Sequence, residues 1–143
     1  MLLLGLGSNL SSSFGNRFKN IDMAISYLQS YEIKIVNRSS FYETPSYPDL
    51  KNPKFINVVV DVSTYLPPED LASVLIFVEE ILERKRNQKN EPRTCDIDII
   101  DYNSQILNLK YNNLDFTVPH KELTSRNFVL FPLQEISPMW KHP

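Results

Sequence analysis

Glu91-Pro92-Arg93-Thr94-Cys95-Asp96-Ile97-Asp98-Ile99-Ile100 decides how the rest of the chain is read. Pro92 fixes its own φ and pushes Glu91 toward an extended conformation, so no helix is expected to run through this point. From Thr94 onward the pattern alternates, and a strand turns alternate side chains to opposite faces. Thr94, Asp96 and Asp98 then share one face, and Cys95, Ile97 and Ile99 the other. With the isoleucines in the core, the two carboxylates stand about 7 Å apart on the opposite face, two residues of strand rise. That spacing suits one hard cation between them, or a pair of cations that also take phosphate oxygens. Arg93 adds a planar cation shaped for phosphate. Taken alone, the aspartates are equally well explained as the wet face of an amphipathic strand. Asp is a poor strand former, however, and two on one face need compensation. The neighbours weigh the same way: Arg84-Lys85-Arg86 upstream, Pro119-His120 and Arg126 downstream. Together they point to an anion site facing a metal site, hence to phosphoryl chemistry.

A chain of 143 residues is most simply one domain, 1–143, able to bury a real core. Its 42% hydrophobic and 22% charged residues are ordinary for a globular protein. A net charge of −2 argues against bulk nucleic-acid binding. Cys95 is the only cysteine, so neither an intrachain disulfide nor a cysteine-based zinc site is expected. Met1-Leu2-Leu3-Leu4 is too short for a signal segment, and no run reaches membrane-spanning length. A cytoplasmic protein with no membrane or nucleic-acid partner is the expectation.

Leu2 to Leu6 reads as a buried strand running into Gly5-Leu6-Gly7-Ser8-Asn9-Leu10, which holds two of the only three glycines. Either the backbone turns sharply there or it approaches something closely, and a plain strand-to-loop turn is the simpler reading. Asn16 to Ser30 carries Ile21, Ala24, Ile25 and Leu28 at helical spacing, with Asn16 as cap. Glu32 to Tyr42 is extended, and the proline-rich Thr44–Pro53 is a long loop of the kind that carries function. Phe55 to Val62 is a β-branched strand in which Asn57 is the odd polar residue. Asn57 is equally suited to holding a nearby loop backbone and to recognising the edge of a flat heterocycle. Pro67-Pro68-Glu69-Asp70 opens a helix with the apolar stripe Leu71, Val74, Leu75, Val78, Ile81 and Leu82. Arg84, Lys85 and Arg86 are expected to close its last turn, where cations complement the helix dipole. Short strands over Ile106–Leu109 and Leu114–Val118 and an apolar segment from Phe128 to Leu133 complete the chain. The order β-α-β-β-α-β, with a further strand and a terminal helix or turn, predicts an α+β fold. The expected form is a ferredoxin-like two-layer sandwich, an antiparallel sheet with helices packed on it.

Several blocks in the same order carry a family likeness: Gly5–Leu10, Ser40-Phe41-Tyr42-Glu43-Thr44-Pro45, Phe55-Ile56-Asn57, Pro92–Asp98, Thr117–His120 and Arg126-Asn127-Phe128. The chain resembles the 6-hydroxymethyl-7,8-dihydropterin pyrophosphokinases over nearly its whole length, and the Pro-Arg-Thr-x-Asp-x-Asp block is the most specific part. The resemblance implies transfer of pyrophosphate from ATP, the co-substrate, to a pterin alcohol. It implies two Mg²⁺ ions on Asp96 and Asp98, with Arg84, Arg93, His120 and Arg126 on the phosphates. It also carries over Glu79 and Arg86 on the nucleotide side, and pterin recognition by Thr44, Pro45, Phe55, Asn57 and Phe128. Small-molecule substrates and a monomer are the implied partners and state, with loops Pro45–Lys54 and Asn87–Glu91 moving on binding. Two other readings stand beside it. One is a different Mg²⁺-dependent phosphotransferase or nuclease using the same aspartate pair; the other is a ferredoxin-like module that binds a small ligand without chemistry.

Overall fold

The Leu2–Ser8 run forms the central strand β1, and its burial on both sides explains why so few of its residues are polar. In the computed structural model, residues 1–46, 49–86, 91–111, 114–120, 123 and 127–143 are described. Helix α1 (Arg17–Ser30) starts where the Asn16 side chain accepts the Lys19 N–H, and it buries Ile21, Ala24, Ile25 and Leu28. Strands β2 (Lys34–Arg38) and β3 (Tyr42–Thr44) both pair with β4 (Phe55–Ser63). Helix α2 (Pro68–Ile81) has proline in its first turn and Glu69 and Asp70 beside it. Strand β5 (Asp96–Tyr102) follows, then the hairpin β6 (Leu107–Tyr111) and β7 (Leu114–Val118), and finally helix α3 (Asn127–Ile136).

The main sheet runs β2-β4-β1-β5, with every pairing antiparallel. This is the strand order of the split β-α-β arrangement expected from the sequence. Leu2, Leu4 and Leu6 of β1, Val58 and Val60 of β4, and Ile97 and Ile99 of β5 point into one core, where α1 and α2 cover the sheet. Leu3, Val59 and Ile100 point the other way and are covered by α3 through Val129, Leu130 and Leu133. The apolar segment after Phe128 is therefore a helix that seals the second face. Leu3 and Leu4, both fully buried on opposite faces, each contribute roughly 1.5–3 kcal/mol of transfer free energy.

Two local departures from the sequence reading matter for the site. Helix α2 ends at Ile81, so Arg84, Lys85 and Arg86 lie beyond its last turn and do not complement its dipole as expected. Glu83 adopts a left-handed φ of 69°, its N–H donates to the Glu80 carbonyl, and the Arg84 N–H donates to the Glu79 carbonyl. This is the hydrogen-bond pattern with which helices commonly stop, here with glutamate where glycine is usual. The Glu83 carboxylate holds that conformation by accepting from the backbone N–H and hydroxyl of Ser13. The second departure is a register shift between Leu3 and Leu4, where Leu3 faces Asp101 and Leu4 faces Ile99. It places Ile100 as the extra residue, so Tyr102 returns to the helix-covered core.

Candidate functional site

The alternation read from Thr94 onward places Asp96 and Asp98 opposite the buried Ile97 and Ile99, half-buried on the face that carries α3. Two pockets open on that side of the protein, and Asp96, Asp98 and His120 line both. The first is floored by Gly5 and Gly7 of β1 and walled by Asn57 and Phe128. The second, the wider of the two, runs past Glu79 and Arg86 toward Phe116 and Thr117 of β7. A pair of carboxylates and one imidazole therefore stand between two recesses of unlike character.

The floor is open because of the glycines. They alternate with Leu4 and Leu6, so both face the pocket side of the sheet, inside the strand and without a positive φ. The sharp-turn reading gives way here to close approach. A Cβ on Gly7 would lie 2.8 Å from Oδ1 of Asn57, and one on Gly5 would lie 3.2 Å from Ile100. The Asn57 Nδ2 donates to the Thr44 hydroxyl at 2.7 Å, which leaves its carbonyl oxygen on the Gly7 side. Phe55, across the sheet from Thr44, packs beside Gly7, while Pro45 is exposed.

Electrostatics converge on Asp96. Arg84 Nη1 donates to its Oδ1 at 3.0 Å and Arg93 Nη1 to its Oδ2 at 3.2 Å. Arg84 also donates to the Cys95 carbonyl and to Glu79, and its side chain is only 9% exposed, so it is built into the wall. Glu79 is buried between Arg84, Arg86 and the Ile97 N–H. Burial, reinforced by the charge of Asp96, pushes Glu79 up to about 8, against the pull of both arginines and the Ile97 N–H. Burial opposes the charge on Arg84, but Asp96 and Glu79 outweigh it and its pKa is raised. Burial also raises the Cys95 thiol well above its ordinary value, which makes it an inert core residue.

Among the described residues no group of three or more His, Cys, Asp and Glu side chains is placed to hold a metal ion. Asp96 and Asp98 are hard oxygen donors suited to Mg²⁺, an ion that ordinarily keeps open positions for phosphate oxygens and water, so the donor chemistry fits.

Of the residues named from sequence, Asp96, Asp98, His120, Asn57, Phe128, Glu79 and Arg86 line the two pockets. Arg84, Arg93, Thr44 and Phe55 buttress them without lining either. Arg126 lies outside the described residues, as do 87–90 and 47–48 of the two loops expected to move. Sequence reasoning missed Gly5 and Gly7 as a floor, although their period-two alternation with leucines held that signal. It gave Phe116 no part and Thr117 only a place in the Thr117–His120 block, since nothing in a short strand marks a pocket wall.

Comparison with known proteins bears on the family and the fold. The family model described as 7,8-dihydro-6-hydroxymethylpterin-pyrophosphokinase (HPPK) matches residues 3–138. The 2-amino-4-hydroxy-6-hydroxymethyldihydropteridine pyrophosphokinase of Methylorubrum extorquens is 34% identical over 136 residues, covering 94% of this chain and 81% of that protein. The protein of the same description from Aquifex aeolicus is 35% identical over 140 residues, covering 98% and 82%. A crystal structure of an HPPK-DHPS protein with substrates superposes with a TM-score of 0.70 at 18% identity. It covers 99% of this chain and 40% of that one, and supports the fold. Among the described residues no helix is long and apolar enough to cross a membrane.

Proposed function

The chain belongs to the HPPK family and is a pyrophosphokinase that moves pyrophosphate from ATP to 6-hydroxymethyl-7,8-dihydropterin in folate synthesis, and from that premise we propose how its residues divide the work. The glycine-floored pocket takes the pterin. Asn57, fixed by Thr44, presents a carbonyl oxygen to the polar edge of the ring, and Phe128 offers a flat apolar face, with Phe55 flanking the strand entrance. The second pocket takes ATP, with Arg86, Phe116 and Thr117 along its wall. Arg93 and His120 take the phosphates where they pass between the two, and the family resemblance assigns Arg126 the same task.

Asp96 and Asp98 would hold two Mg²⁺ ions, which when bound draw the phosphates together and neutralise charge as it develops. The 6-hydroxymethyl oxygen attacks the β-phosphorus and loses its proton. The bond from the β-phosphorus to the α–β bridging oxygen breaks, and AMP departs with that oxygen. Arg84 acts from behind, setting the Asp96 carboxylate at the junction. Such a transfer rests on positioning and electrostatics, with little covalent work for a side chain. The protein is expected to act as a monomer in the cytoplasm.

The observation that carries this reading is the wall common to both pockets: Asp96, Asp98 and His120. A pocket for each substrate with the metal ligands between them is what direct transfer requires. The test is AMP release from Mg-ATP with and without the pterin. Pterin-dependent AMP, reduced on the order of 10²-fold or more in Asp96→Ala, is the expected result. ADP in place of AMP would overturn it in favour of another phosphotransferase.

A further inference from the structure

Asn9 belongs to the Gly5–Leu10 motif yet lines neither pocket, although it is only 2% exposed. Its side chain spans two segments far apart in the chain. Oδ1 accepts the backbone N–H of Arg93 at 2.7 Å, and Nδ2 donates to the Pro53 carbonyl at 3.0 Å. Its own N–H donates to the Arg93 carbonyl at 3.0 Å, so Arg93 is held by both the main chain and the side chain of one residue. Both ends of the amide are in use. A half-turn of the group would set donor against donor at Arg93 and acceptor against acceptor at Pro53. Aspartate keeps the acceptor and loses the donor; alanine loses both.

The two segments it joins belong to different substrates. Arg93 reaches Asp96 at 3.2 Å on the phosphate side of the junction. Pro53 stands two residues before Phe55 and four before Asn57, where β4 enters the pterin pocket. The Arg93 guanidinium also lies 5.8 Å from the centre of the Phe55 ring, so the two sides are close in space as well. Elsewhere the entrance of β4 is fastened by Arg17, which donates to the Lys54 carbonyl at 2.7 Å and to Glu43 at 3.2 Å. That clamp holds both strands of the β3–β4 stem, but neither bond reaches Arg93.

We propose that Asn9 is a positioning residue that couples the two substrate sites of this enzyme. Its amide transmits a displacement of the Arg93 main chain to the Phe55–Asn57 entrance of the pterin pocket, and transmits the reverse displacement equally. The inference rests on the assignment of pterin and nucleotide to the two pockets above. Because coupling is reciprocal, engagement of ATP phosphates beside Arg93 tightens pterin binding by the same factor as pterin tightens ATP binding.

Calorimetric titration tests it. Binding of 6-hydroxymethyl-7,8-dihydropterin is measured with and without saturating Mg²⁺ and α,β-methylene-ATP, in the wild type, Asn9→Ala, Asn9→Asp and Arg17→Ala. The wild type is expected to bind pterin on the order of tenfold more tightly with the nucleotide present. Both Asn9 variants bring that ratio close to one. Arg17→Ala weakens pterin binding with and without the analogue alike and leaves the ratio intact, which separates coupling from loosening of the stem. Asn9→Asp, nearly isosteric, decides the matter should Asn9→Ala fail to fold. An unchanged ratio in folded Asn9→Ala or in Asn9→Asp overturns the proposal. So does a wild-type ratio of one, or equal loss of coupling in Arg17→Ala. A wild type that binds no pterin under either condition would instead bring down the pocket assignment and this inference with it.

Discussion

Nη1 of Arg84 lies 3.0 Å from Oδ1 of Asp96, and the same nitrogen stands 3.2 Å from the buried Glu79. One cation thus holds a site carboxylate and a buried carboxyl together. Arg84→Ala removes that cation and leaves Asp96 to Arg93 and Glu79 to Arg86, where breaking a buried pair outright costs about 3–5 kcal/mol. The lower end is expected, since Asp96 is partly exposed and water screens it. Urea unfolding measures the loss. A variant with full stability and only a raised KM for ATP would show that Arg84 serves as a phosphate ligand alone.

Glu79 ties stability to pH. A carboxyl that keeps its proton to about 8 in the fold, against an ordinary value of 4.5, favours the folded state below the lower of these. That contribution drains away as pH rises through the upper one, because the unfolded chain then binds fewer protons than the folded. Metal-free protein is expected to lose thermal stability between about pH 5 and about pH 8, and Glu79→Gln to lack that decline. Glu83 and Glu135 act in the opposite sense: hydrogen bonds from Ser13 and from Tyr42 hold them below the usual range. Their contributions are lost only in more acid solution, so a melting profile against pH separates the two effects.

Gly7→Ala is expected to disable the pterin pocket while sparing nucleotide binding. The new methyl would sit 2.8 Å from Asn57 Oδ1, and Asn57 is held in place by Thr44. Something must shift, and overpacking of this kind costs typically about 1–3 kcal/mol. Pterin Kd is expected to rise on the order of tenfold or more, as a misplaced recognition group implies, with ATP-analogue affinity unchanged. Equal loss of both affinities would show general unfolding of the site.

Trp140 secures the C-terminal segment to the sheet. Its indole N–H donates to the buried Asp101 carboxylate at 2.8 Å, and the Ser104 N–H also donates to that side chain at 2.8 Å. Trp140→Phe keeps most of the ring and removes the donor, at a cost of about 1–3 kcal/mol for the group left short. The midpoint of urea unfolding should fall accordingly. Activity in folded protein should hold, since Trp140 lines neither pocket.

Much of this was legible in the residues themselves. The period-two pattern at Cys95–Ile99 sorted core from site, and the 3.6-residue stripes of α1 and α2 placed both helices on the sheet. The ends and irregularities were not. Glu83 stops α2 in a conformation that glycine usually marks, so the basic run after it read as a helix turn when it is the wall behind Asp96. The extra residue near Ile100 depends on pairing with Leu3 and Leu4, a long-range register that no local pattern encodes. Helix α3 contains Pro132, whose propensity argues against a helix; packing on Leu3, Val59 and Ile100 outweighs that local preference. Asn9 read as part of a turn because its two partners, Pro53 and Arg93, lie 44 and 84 residues away.

A pocket whose base is main chain leaves mutation little to exchange. At Gly5 and Gly7 every single substitution adds atoms, and those atoms meet Ile100 or Asn57. A competitive inhibitor that presses down to this base would therefore face a surface where escape damages the enzyme before it damages the drug. Resistance would have to arise on the walls, at residues such as Phe128 whose side chains can shrink, and such changes weaken the hold on the substrate by the same contacts.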